Sequence, residues 1–114
     1  MYQLEVINMW KIDRGSITGT TNVSYVSALS WCTAELGVKT ILMKNTHGSF
    51  SLKYRIRGSA TEDGIAKELV GESTLEPGEI AEFHYDRQWD TLVLEVKNGS
   101  GSATYQIDYE GQGA

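Results

Sequence analysis

The sequence predicts an all-β fold, a single antiparallel β-sandwich of seven to eight strands, immunoglobulin-like or jelly-roll in arrangement. Three observations predict it. Apolar side chains recur at every second residue through the C-terminal two thirds of the chain, the period that sends alternate residues to opposite faces of a sheet. Turn-forming clusters separate these runs at Asn45–Gly48, Glu62–Gly64, Pro77–Gly78 and Asn98–Gly101. A chain of 114 residues, 40% hydrophobic and 22% charged, has room for one core, so residues 1–114 form one domain.

In chain order, Leu4 and Val6 alternate with Gln3 and Glu5 and predict a first strand ending near Met9. Residues 27–37 carry two signals. Leu29, Cys32 and Leu36 have helical spacing between a Ser27 cap and a Gly37 stop, whereas Val23, Tyr25, Val26, Trp31 and Thr33 favour extended chain; a bulged strand is the expectation. Residues 38–44, VKTILMK, make a buried strand. Phe50, Leu52, Tyr54 and Ile56 alternate with Ser51, Lys53, Arg55 and Arg57, the pattern of a strand wet on one face. The region from Glu62 to Glu82 is acidic and reads as a solvated loop and edge. Within it Pro77-Gly78 predicts a type II turn, with proline fixing φ and glycine supplying a positive φ. Ala81, Phe83 and Tyr85 oppose Glu82, His84 and Asp86. Leu92, Leu94 and Val96 then point inward, as do Ala103, Tyr105, Ile107 and Tyr109. Lys44-Asn45-x-x-Gly48-Ser49 and Lys97-Asn98-x-x-Gly101-Ser102 form a weak internal repeat, read as two β-hairpin connections of similar geometry. Residues 110–114, EGQGA, read as a short flexible tail.

Charge and composition exclude several function classes. Ten basic against fifteen acidic residues give a net charge of -5, which opposes a phosphate backbone and argues against nucleic acid as a partner. No apolar run approaches the ~20 residues of a spanning helix, so no membrane partner is expected. The first twenty residues lack the pattern of a signal peptide, and the expectation is a protein made in the cytoplasm without general secretory export. On the same ground the Asn22-Val23-Ser24 and Asn98-Gly99-Ser100 glycosylation patterns read as coincidental. Cys32 is the single cysteine, so no internal disulfide or cysteine cluster forms; in its apolar stretch it reads as a small core residue.

No motif carries catalysis. There is no Gly-x-Ser-x-Gly elbow and no phosphate-binding glycine loop, and the carboxylates fall in loops and wet faces, so the chain is not expected to be an enzyme or to hold a cofactor. His84 shares a strand face with Glu82 and Asp86, a geometry that suits a surface metal site, yet a solvated face is the simpler reading and no metal is expected. His47 reads as an exposed turn residue. The aromatic residues suggest binding instead. Among Trp10, Trp31, Trp89 and the six tyrosines, Trp89 stands out, because Tyr85-Asp86-Arg87-Gln88-Trp89-Asp90 sets an aromatic ring among hydrogen-bonding groups. Tyr85, Arg87 and Trp89 form the candidate interaction surface, against a structural turn in which Trp89 caps the sandwich and Arg87 pairs with Asp86 or Asp90.

From about Lys39 to Gly111 the order of features is composite: a strand, Lys44-Asn45-x-x-Gly48, a strand ending Tyr54-x-Ile56-x-Gly58, a variable loop, Leu75-x-Pro77-Gly78-Glu79, Leu92-x-Leu94-x-Val96-Lys97-Asn98, and a closing strand. This resembles the small immunoglobulin-like β-sandwich structural proteins that tailed viruses place on capsids and tails. The resemblance implies a non-enzymatic virion component without a cofactor, a capsid decoration or tail-associated protein. Its partners would be copies of itself, in a homo-oligomer such as a trimer, or a viral capsid or tail protein. A second reading is a small carbohydrate- or ligand-binding module using Trp89 and nearby tyrosines. A third is a small enzyme or metal protein centred on His84.

Overall fold

The computed structural model describes residues 12–113. Eight strands run in the order β1 (Ile12–Thr20), β2 (Val26–Cys32), β3 (Leu36–Asn45), β4 (Leu52–Ser59), β5 (Ala66–Leu75), β6 (Ile80–Tyr85), β7 (Thr91–Asn98) and β8 (Thr104–Gly113). They form two antiparallel four-stranded sheets, β1-β8-β3-β6 and β2-β7-β4-β5. Of the two expected arrangements, this strand order is that of a jelly roll. The predicted strand ending near Met9 lies outside the described residues.

The period of two is realised in the core. Ile41 and Met43 of β3, Leu52, Tyr54 and Ile56 of β4, Leu92, Leu94 and Val96 of β7, and Tyr105 and Ile107 of β8 are buried, with Leu29, Trp31 and Leu36 beside them. Ala81, Phe83 and Tyr85 pack against this core from β6. The Tyr54 and Phe83 rings meet edge to face across the sheets at 5.6 Å. The bulged-strand expectation holds for β2, whose pairing with β7 shifts between Ser27 and Leu29. Pro77-Gly78 forms the predicted turn, with Gly78 at φ 81° and the Glu79 N–H donating to the Glu76 carbonyl at 3.0 Å.

Four expectations are corrected. The two Lys-Asn-x-x-Gly-Ser segments are not hairpins: one carries the chain from β3 to β4 and the other from β7 to β8, each crossing between the sheets. The sequential hairpin of the fold is β4–β5, whose tip holds Asp63 at φ 56°. The two crossings clasp one another, for Ser51 N–H donates to Ser100 Oγ and Ser100 N–H to Ser51 Oγ, each at 2.9 Å. Residues 110–113 are strand rather than tail; Glu110 pairs with Arg14 of β1 and Thr40 of β3. Cys32 is exposed, because Leu29 and Trp31 take the inward positions at that end of β2. Phe50 is 41% exposed, since the chain is still crossing between sheets there.

Two strands carry no legible alternation. β1 turns Gly15, Ile17 and Gly19 inward, and the tyrosines paired with these glycines on β8, Tyr109 and Tyr105, lay their rings over them. A methyl group on Gly15 would lie 2.5 Å from Tyr109 Oη. β8 thus supplies the apolar cover that β1 lacks. β5 loses its period to register shifts opposite Tyr54–Arg57. Gly19→Val should therefore destabilise the fold by about 1–3 kcal/mol through overpacking against Tyr105. The outward Thr18→Val should stay within about 0.5 kcal/mol. Urea unfolding of the two variants checks the contrast.

Candidate interaction surface

β5 and β6 end their respective sheets, and between them lies a cleft of about 360 Å³. Lys67 and Leu69 of β5 form one wall. His84 and Tyr85 of β6 form the other, and Asp86, Arg87 and Trp89 of the β6–β7 connection close the end. All three residues of the candidate surface, Tyr85, Arg87 and Trp89, therefore meet in one place. Tyr85 and Trp89 are half-buried and Arg87 is exposed. Burial pushes the Tyr85 phenol above its ordinary value.

The connection is fixed at several points. A methyl group on Gly58 would lie 2.8 Å from Trp89 Cε3, so the indole rests directly on the β4 backbone, beside Leu69. Thr33 Oγ1 donates to the Trp89 carbonyl at 2.6 Å, and Thr33 N–H donates to the Asp90 carbonyl at 2.8 Å. The Asp90 N–H in turn donates to the Ser59 carbonyl at 2.8 Å. Trp89 thus caps the sandwich end as the structural reading expects, while still lining the cleft. Arg87 joins neither Asp86 nor Asp90 in an ion pair.

Lys39 is the anchor that the sequence reading missed. Fully buried, its ammonium donates to the carbonyls of Leu36 at 3.2 Å, Gly37 at 2.6 Å and Arg87 at 2.7 Å. Burial lowers its proton affinity and the nearby Asp86 carboxylate partly restores it. The signal was present: in VKTILMK the period of two puts Lys39 on the face of Ile41 and Met43.

The other chemical candidates disperse. His84 bonds Thr40 Oγ1 at 3.0 Å and, through Nε2, the Glu82 carboxylate. Among the described residues no group of three His, Cys, Asp or Glu side chains comes together to hold a metal. His47 accepts the Ser49 and Phe50 N–H groups on Nδ1 at 3.0 Å each, a role within the β3–β4 crossing. Trp31 is core, its Nε1–H bonded to Asp13 at 2.9 Å, and Trp10 lies outside the described residues.

The cations on the outer face of the second sheet are neutralised locally. Arg55 donates to Glu95 at 2.7 Å, and Lys97 and Lys53 lie 3.1 and 3.6 Å from Glu72. Tyr25 sits beneath this network, with the Arg55 guanidinium 3.9 Å from its ring centre and its hydroxyl donating to Glu72 at 2.8 Å. Desolvation and the Glu72 charge push the Tyr25 phenol up to about 12, while the Tyr25 hydroxyl and Lys97 draw Glu72 down to about 2.

No protein-family model matches the sequence, and no curated protein matches it. Similar solved structures show the fold. The Bacillus endospore appendages, described as a novel family of disulfide-linked pili, share 14% identity at a TM-score of 0.65, over 93% of this chain and 88% of that one. The SPBc2 prophage-derived protein YomS shares 17% identity at 0.52, over 88% and 95%. The infectious bursal disease virus VP2 subviral particle shares 11% identity at 0.53, over 90% of this chain but 32% of that one.

Two predictions follow from these anchors. Lys39→Met keeps the volume but strands three carbonyls, and should cost about 3 kcal/mol at the ~1–3 kcal/mol typical of each buried group left unpaired; urea denaturation measures it. The Tyr25 pair sets two pH limits. Tyr25 stabilises the fold below pH 10, where the free phenol would begin to ionise, and this gain is lost as pH rises toward about 12. Glu72 contributes above about 4.5, and its gain is lost as pH falls toward about 2. Phenolate absorbance should show a component titrating at about 12 that Tyr25→Phe removes.

Proposed function

We propose that this protein is a non-enzymatic structural subunit that acts by assembly, as a capsid-decoration or tail-associated virion component made in the host cytoplasm. The observation that carries the reading is the outer surface beside β6. This strand bonds only β3 among the described residues, and its outward Ile80 is 62% exposed. Ile80 is two positions from Glu82, the partner of Leu42 on β3, and Leu42 is itself 37% exposed. Exposed apolar residues on one face next to an unpaired strand edge, here with Lys44 as the register partner of Ile80, are what a contact between subunits covers. β5, by contrast, is guarded by Lys67, Glu68, Glu72 and its register shifts.

Pili, a prophage-derived protein and a viral particle share the fold, which supports a reading as an assembling unit. The partner is a second copy, closing into an oligomer such as a trimer, or a capsid or tail protein.

Light scattering behind a sizing column, over a range of concentrations, tests it. The expected result is a defined oligomer that Ile80→Asp dissociates to monomer while circular dichroism stays unchanged. A monomer at every concentration removes self-assembly from the proposal, and an oligomer indifferent to Ile80→Asp removes this surface from it.

A further inference from the structure

Most cations of the described chain already have a partner. Arg14, Lys53, Arg55, Arg57 and Lys97 lie in ion pairs, and Lys39 is caged by carbonyls. Lys44, Lys67 and Arg87 form no ion pair. Two of these three line the single cleft that also holds Trp89 and Tyr85. In a chain of net charge -5, these two unpaired cations from different elements leave the cleft net positive even with Asp86 in its lining, beside a fixed aromatic ring.

We propose that this cleft binds a carboxylate-bearing glycan, with a sugar ring on the Trp89 indole and the carboxylate between Lys67 and Arg87. The site goes beyond the assembly reading and does not depend on it. Each component has its counterpart in that ligand. The indole offers a flat apolar surface that rests on Gly58, and Thr33 fixes the Trp89 backbone through its carbonyl, so little ordering is left to the binding step. Lys67 on one wall and Arg87 at the closed end supply donors to a carboxylate. Asp86, in the same cleft, accepts hydrogen bonds, which sugar hydroxyls supply. At about 360 Å³ the cleft lies within the size range of small-ligand sites.

Titration calorimetry with trigalacturonate, maltotriose and a hexaglutamate peptide tests the proposal. Trigalacturonate should bind saturably and more weakly as salt is added. Lys67→Gln and Arg87→Gln should each weaken it about tenfold, or about 1.4 kcal/mol. Gly58→Ala, which displaces the indole, should weaken it with both cations intact, and Lys44→Gln should have no effect; circular dichroism confirms that each variant is folded. Absence of binding overturns the proposal. So do equal binding of maltotriose, equal or tighter binding of hexaglutamate, or a loss in Lys44→Gln matching that in Lys67→Gln.

Discussion

Six of the seven connections in this fold cross from one sheet to the other, so the rim of the sandwich is where backbone groups would be buried without partners. The buried polar side chains among the described residues, Thr21, Thr33, Lys39, Asn45 and Ser51, all stand at or near that rim. Asn45 shows the principle most fully. Its amide donates to the carbonyls of Phe50 and Leu75, its side-chain oxygen accepts the His47 N–H, and its own backbone bonds Gly78 and Glu79. Thr21 ties β1 to Asn98 and Ala103, and Thr33 and Lys39 hold the Trp89 connection. No buried side-chain polar atom among the described residues is left unpaired. The apolar core supplies the driving force, but these five residues decide which crossing lies against which.

What could be read from the chain follows from this division of labour. Where a strand presents its own apolar residues to the interior, as at Leu52–Ile56 and Leu92–Val96, alternation locates it without help. β1 was illegible because its inward face is glycine covered by tyrosines about 90 positions away, and β5 because register shifts interrupt its period. The hairpin reading of the two Lys-Asn segments failed for a related reason. Asn, Gly and Ser serve a tight turn and a sheet-to-sheet crossing equally well, and only the pairing of both flanking strands with other partners distinguishes them. The C-terminal residues looked like a tail because EGQG has no apolar period, yet β1 and β3 supply backbone partners on both sides.

The candidate surface was partly legible. Tyr85, Arg87 and Trp89 are neighbours in sequence, so their aromatic and polar chemistry could be seen together. Lys67 and Leu69 join them only through the meeting of two sheet ends, which no local pattern encodes. Lys39 was visible as a charged residue at an inward position but was passed over within an otherwise apolar strand. Its cage joins the first residues of β3 to the Arg87 carbonyl, so the shape of the cleft depends on a residue that does not line it.

The position of β8 has a consequence for how the chain is made. It is the last of the described strands to leave the ribosome, yet it lies in the interior of its sheet, between β1 and β3. Until it emerges, β1 has no hydrogen-bonding neighbour among the described strands, and the Tyr105 and Tyr109 rings that cover its inward glycines are absent. Ser16 and Asp108, bonded in the finished fold, are 92 positions apart. A nascent chain can therefore close the β4–β5 hairpin and pair β3 with β6 early, but β1 must wait for β8 to emerge before it can join its sheet. Slow closure, with exposure to aggregation until β8 is in place, is the kinetic signature this topology imposes.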